Sequence, residues 1–165
     1  MTNSEIPMMT TISTRFPSLL PTPFMTKLIV ALESKTVFAL IMGAIDNSAT
    51  MREMFGHVSF DVSSNTIERM LYERFGDYSL RAGDLFLILV TGQEALTASR
   101  VALSVRKDVE AMNLDDRFPV TMHFAVTHAS SDWTKKDGFG ELYAALEAVK
   151  NGQYKTNRVW VETTP

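Results

Sequence analysis

The sequence predicts a mixed α/β (α+β) domain, a five-stranded central sheet flanked by helices. Three observations lead there. Residues 37–46 form a nearly unbroken apolar run, as in a strand buried on both faces. Residues 93–112 carry apolar side chains at steps of three and four, the pattern of a helix packed along one stripe. Ala82-Gly83-Asp84 separates two strand-like runs and reads as a hairpin turn. Elements alternating in this way pack in layers on a shared sheet.

Taken in order, residues 1–23 are rich in Thr, Ser and Met and are interrupted by Pro7, Pro17, Pro21 and Pro23, so they read as an irregular arm. The folded domain is expected over 24–165. Residues 24–35 place Phe24, Leu28 and Leu32 at helical spacing, with Met25 and Ile29 alongside. After the apolar strand come two helices, 49–55 ending at Gly56 and 61–75 with Ile67, Met70, Leu71 and Arg74 along one side. Residues 77–81 and 85–91 are the hairpin strands. In the helix over 93–112, Ala98, Val101, Ala102, Val105, Val109 and Met112 face inward, and Arg100, Lys107, Asp108 and Glu110 face outward. A strand over 119–127, a helix over 140–151 and a strand over 158–162 complete the order βααββαβαβ.

Composition narrows the function. The 165-residue length suits one domain with a substantial core, and no internal repeat is visible. An apolar content of 45% with 21% charged residues describes an ordinary globular chain. The formal charge of −3 argues against a nucleic-acid partner or a polybasic membrane surface. The run 37–45 falls far short of the roughly 20 residues needed to cross a bilayer, so no membrane insertion is expected. No secretory signal is recognisable at the N-terminus, which makes the expected location cytoplasmic. With zero cysteines there are neither disulfides nor thiolate metal sites.

Five collinear stretches over residues 36–161 carry a resemblance. FALIMGAIDNSATMREMFGHVSFD resembles the GGDEF-family segment in which a buried strand ends in Asp-x-Asp and a short helix leads to Phe-Gly-His-x-x-x-Asp. Ala44-Ile45-Asp46, Phe55-Gly56-His57 and Asp61 stand at those places. SLRAGDLFLIL resembles the strand-turn-strand that names the family, with Ala82-Gly83-Asp84-Leu85-Phe86 where Gly-Gly-Asp-Glu-Phe is usual. EALTASRVALSVR, VTMHFAV and ELYAALEAVKNG resemble the following helix, strand and last helix.

The resemblance implies the palm-like fold of bacterial diguanylate cyclases, which condense two GTP molecules into cyclic di-GMP across a homodimer. That chemistry requires two divalent metals held by carboxylates of the strand and the hairpin. The residues at the corresponding places imply that it has been lost. The metal-binding Asp of the strand is Ala44, and the second hairpin acid is Leu85 beside the retained Asp84. The phosphate-facing lysine is Ala49, the guanine-reading Asn is Arg52, and its companion Asp61 remains. The first hairpin glycine is Ala82, expected to lose freedom at positive φ and to put a methyl where a triphosphate would approach, with Gly83 kept. Ala44, Asp46, Ala49, Arg52, Asp61 and the 82–85 turn thus outline a vestigial cleft, with no catalytic residue, metal or cofactor expected. Ala44, Ala49 and Leu85 are expected to make it a more apolar pocket.

Many family members also bind cyclic di-GMP at an Arg-x-x-Asp before the hairpin, and Arg74-Phe75-Gly76-Asp77 matches that motif. Arg81 follows as a second arginine, one residue closer to the turn than in the family, and Arg106 stands near the place of a further one. An arginine fork donates to guanine O6 and N7, while a carboxylate accepts from its N1 and N2 edge. The alternative is that Arg74 ends its helix, favoured by the macrodipole, and pairs with Asp77.

Other candidates are weaker. His123 and His128 lie five apart on a strand and its exit and face opposite ways, a poor metal pair. His57 reads as part of a structural turn, Gly138-Phe139-Gly140 as a helix start, and Trp133 and Trp160 as packing or interface residues. Two functional classes follow: a cyclic di-GMP receptor without catalysis, or a protein-interaction or dimerisation module with no nucleotide ligand. Residual cyclase activity is a third, lesser reading.

Overall fold

The computed structural model describes residues 22–34, 37–129 and 159–163. The arm up to residue 21, the helix expected over 140–151, Trp133 and the Gly138–Gly140 segment lie outside the described residues. Trp160 is described in its backbone only.

Five strands form one sheet. In chain order they are β1 Phe38–Ile45, β2 Ser79–Ala82, β3 Leu85–Thr91, β4 Met122–Ala129 and β5 Val159–Thr163, and they lie side by side as β2-β3-β1-β4-β5. All neighbours are antiparallel except β4 and β5, which run parallel, so the sheet is mixed as expected. β1 is hydrogen-bonded along both edges, to β3 and β4, which is why its apolar run has no polar face.

Alternation of side chains divides the core in two. Phe38, Leu40 and Met42 of β1 and Leu85, Leu87 and Leu89 of β3 pack under helix α1, Pro23–Glu33. Ala39, Ile41, Phe86, Ile88, Val90, Phe124 and Val126 pack on the other face beneath α2, Ser48–Phe75, and α3, Ala98–Ala111. Phe38, Phe86 and Phe124 are each at most 1% exposed, a burial worth about 1.5–3 kcal/mol for a ring of this size.

Several boundaries differ from the sequence reading. Pro23, assigned to the arm, is the first residue of α1, where its missing N–H is harmless; the Thr22 hydroxyl caps it by accepting from Met25 N at 3.2 Å. The two expected helices are both present within the span α2, separated at Gly56 (φ 86°, ψ 169°) as the sequence predicts, but the second starts directly after Gly56 rather than at residue 61. A 3₁₀ turn, Gly76–Tyr78, precedes β2, held by Ser79 Oγ donating to Gly76 O at 2.9 Å, so this strand begins two residues late. The helix expected from 93 is a 3₁₀ segment, Gly92–Thr97, followed by α3. β4 starts at Met122, opposite Ile45, because pairing with β1 sets its limits. The stripe of α3 holds through Ala98, Ala102, Val105 and Val109, but Met112 lies past the helix end and is 38% exposed.

Two local devices fix the frame. Gly43 lies opposite Phe124, and a Cβ there would come within 2.5 Å of the ring. Arg117 clamps the segment before β4 onto the break in α2. It donates to Ser59 Oγ at 2.7 Å and Asp115 Oδ2 at 3.0 Å, and its guanidinium lies 4.6 Å from the Phe55 ring centre. Phe118 meets the same ring edge-on at 5.7 Å.

Gly43→Ala is expected to destabilise the domain by about 1–3 kcal/mol, since Phe124 must leave its rotamer; urea unfolding measures this. The side-chain and backbone hydrogen bonds from Arg117 hold the Asp115 carboxyl below the usual carboxylate range. That stabilisation is present above the unfolded pKa and is lost as pH falls through the folded one. Arg117→Ala should therefore move the Asp115 titration upward toward its ordinary value, read by NMR.

Candidate functional site

At the end of β1, Ala44 faces Leu85 of β3 and His123 of β4, and Leu85 pairs with Ala82 across the turn. The strand end and the hairpin therefore meet at one point, as the resemblance implies. Their chemistry is apolar. Leu85 and Ala82 are 6% and 7% exposed and belong to the core under α1, and Ala44 packs against it.

Two details correct the sequence reading. The positive φ of this turn is at Gly83 (63°) and not at Ala82, so alanine is accommodated there. The Ala82 methyl points into the core rather than into a cleft. Leu85 is buried under α1, whereas Ala49 is exposed on α2.

Asp84 is the acid of the hairpin, and Arg52 pairs with it. Arg52 Nη2 lies 2.6 Å from Asp84 Oδ1, and the guanidinium stacks 3.8 Å above the Phe60 ring. Asp61, on the same helix, is exposed.

Asp46 is 2% exposed and faces inward. Its backbone N–H donates to Thr121 O at 2.9 Å, and Thr121 Oγ1 donates to its Oδ2 at 2.6 Å. Its Oδ1 is hydrogen-bonded to Nδ1 of the buried His123 at 2.7 Å. Sequence reasoning missed this cluster. Its members are 75 and 77 residues apart, and only the β1–β4 register joins them.

Magnesium takes oxygen ligands. Ala44 and Leu85 supply none, Asp84 is paired with Arg52, and Asp46 is bonded to Thr121 and His123. Among the described residues no group of three or more His, Cys, Asp or Glu is placed to hold a metal ion. The donor set at this place does not fit the divalent ions that the resemblance would bring.

The Arg-x-x-Asp residues divide. Arg74 turns toward α3, donating to Asp108 Oδ2 and Ser104 Oγ, both at 3.2 Å. Its ionic partner is thus Asp108 rather than Asp77, because the last turn of α2 lies beside α3. Asp77 is exposed. Arg81 donates to Asn65 Oδ1 at 2.7 Å and through Nε to Gly83 O at 3.1 Å, with Glu68 at 4.0 Å. Asp77 and Arg81 line one cavity of about 360 Å³ between α1, α2 and β2, with Phe24, Leu71, Tyr72 and Ser79. Arg106 lines a separate open depression with Lys107, Glu110 and Asn113. His57 is exposed.

Thr121→Val removes a donor from the buried Asp46 carboxyl and is expected to destabilise the fold by about 1–3 kcal/mol, measured by denaturant unfolding. Arg52→Ala, which breaks an exposed pair, should change stability by about 1 kcal/mol or less.

No protein-family model matches the chain, and no curated protein matches it in sequence. Solved structures do. The GGEEF domain of an active diguanylate cyclase from Vibrio cholerae superposes with a TM-score of 0.61 at 16% identity, covering 85% of this chain and 92% of that one. The GGDEF domain of DgcB from Caulobacter crescentus, solved with cyclic di-GMP, gives 0.64 at 18% identity, covering 82% and 81%. The diguanylate cyclase SiaD of Pseudomonas aeruginosa, solved with its activator SiaC, gives 0.63 at 18% identity, covering 96% and 67%. With β1 paired on both edges, its end meeting the 82–85 hairpin, and helices on both faces of a mixed sheet, the chain has the fold of the GGDEF domains of diguanylate cyclases.

Proposed function

We propose that this chain is a non-catalytic regulatory domain of the GGDEF fold that binds cyclic di-GMP and does not synthesise it. One observation carries the loss of catalysis. Where the resemblance puts the metal-binding acids of strand and hairpin, Ala44 and Leu85 face each other and pack against the core, and Arg52 neutralises Asp84. Two-metal phosphoryl transfer needs carboxylates on both segments.

Binding rests on the other end of β2. Asp77 and Arg81 share a cavity, with Arg74 on the α3 side and Arg106 beyond it. A carboxylate acceptor beside arginine donors matches the edge of guanine. The similar Caulobacter domain was solved with this dinucleotide, which supports the same ligand class. A location in the cytoplasm, where nucleotide signals are made and read, fits a chain in which no described helix is long and apolar enough to cross a membrane.

A second reading, as a protein-interaction or dimerisation module, has its own observation. Val58 and Val62 are 77% and 56% exposed one turn apart on α2 after its break at Gly56, and Met54, just before the break, is 62% exposed.

The protein incubated with GTP and magnesium or manganese is expected to form no cyclic di-GMP above a no-protein control. Product that disappears in Asp84→Ala would overturn the non-catalytic reading. Calorimetric titration with cyclic di-GMP should give saturable heat; its absence at high ligand concentration would favour the interaction module.

A further inference from the structure

Strand β2 ends the sheet: it is bonded to β3 on one side and has no neighbour on the other among the described residues. A free edge presents unpaired N–H and C=O groups, and folds blunt it with lysine, proline, a bulge or a cover. β2 carries neither lysine nor proline, and the Arg81 side chain is drawn off the edge to Asn65 of α2. The two-residue turn pairs Ala82 with Leu85. Antiparallel alternation then directs the backbone of Ala82 and Leu80 to β3 and that of Arg81 and Ser79 outward. The Ser79 N–H is taken by Gly76 O, which leaves the Arg81 N–H and the carbonyls of Ser79 and Arg81 along the edge.

The cavity of about 360 Å³ runs along this edge. Leu80, on the α1 face, and Ser79 and Arg81, on the α2 face, all line it, which one cavity achieves only by wrapping the open side of the strand. Phe24 of α1 and Leu71 and Tyr72 of α2 form the two walls, and Glu68 and Asp77 add acids. It is a slot with apolar walls on both sides and backbone donors and acceptors at its base.

The chain itself brings an occupant to the mouth of the slot. Thr22 lines it with extended backbone (φ −137°, ψ 163°), and residues 1–21 precede Thr22. Among them Met8-Met9-Thr10-Thr11-Ile12-Ser13-Thr14-Arg15-Phe16 lies between Pro7 and Pro17 and contains neither proline nor glycine. Positions 10, 11, 12 and 14 are β-branched, and alternation puts Met8, Ile12 and Phe16 on one side and Arg15 on the other, the pattern of a strand. Arg15 is the one charge of the segment and is complementary to the acids of the slot. Residues 17–21 span at most about 16–18 Å, against about 13 Å for the length of β2, so the segment can lie along the whole edge.

We infer that residues 8–16 seat in this slot as a strand added to the outer edge of β2 of the same chain. Main-chain hydrogen bonds along the edge hold it, and the short tether to Thr22 raises its effective concentration there. The seated segment and any ligand held by Asp77 and Arg81 exclude one another. The inference stands whether or not the domain binds a nucleotide.

The test is amide hydrogen exchange, read by NMR on the full chain in wild type, Ile12→Pro and Arg15→Glu, each first checked for native circular dichroism. In wild type, alternate amides within residues 10–14 and the amide of Arg81 are expected to exchange at least about tenfold more slowly than free-peptide rates. Ile12→Pro removes a donor and breaks the strand. It should return the arm amides and Arg81 to open rates while Leu80 and Ala82, bonded to β3, stay protected. Arg15→Glu should speed exchange of the arm about two- to fivefold. Arm amides at free-peptide rates in wild type, or an Arg81 amide that Ile12→Pro leaves unchanged, would overturn the inference. Protection that disappears on dilution would also overturn it, by seating the arm on a second copy of the chain.

Discussion

Strand β1 is bonded on both edges, and its register decides which side chains every neighbouring element meets. Gly43 against Phe124 fixes that register sterically, because any side chain at 43 would collide with a ring that fills the core beneath α2 and α3. With Gly43 set, Ala44 must face Leu85 and His123, and Ile45 must face Met122. A slip of one residue would send the apolar set of each face to the opposite layer. The two cores exist because a strand alternates, and they stay distinct because this strand cannot slide.

The same register ties the strand end into the core. Asp46 lies just past β1 and reaches across to β4, where Thr121 and His123 bond its carboxyl oxygens. A buried polar group is tolerated when its bonds are made, and here they tie the end of β1 to the start of β4. The hairpin is used in the same way. Leu85 contributes to the core, while Asp84 is occupied by an arginine that also stacks on Phe60. The strand end and the hairpin thus serve packing and pairing.

At the far end of β2 the division of labour differs. The last turn of α2 sends Arg74 toward Asp108 and Ser104 of α3, and the 3₁₀ turn that follows puts Asp77 on the other side, over the cavity. Two residues three apart in sequence thereby serve different surfaces. Helical spacing would have kept them together; Gly76, at φ 57°, ends the helix between them and separates them.

The sequence by itself determined the layers and most of the elements. The apolar run of β1, the stripe of α3 and the turn at Gly83 are local patterns with local causes, and they were legible as such. That positions 44 and 85 carry no carboxylate was legible too, because a residue's chemistry is read without geometry. Tertiary structure alone decided the partners. That Asp46 meets His123, that Arg52 reaches Asp84 over 32 residues, and that Arg74 bonds Asp108 rather than Asp77 all depend on which strands and helices become neighbours. It also decided where the Ala82 methyl goes and that the positive φ falls one residue later. Spacing along a chain carries periodicity, and periodicity assigns a face; the group standing opposite that face is set by register and packing between distant segments.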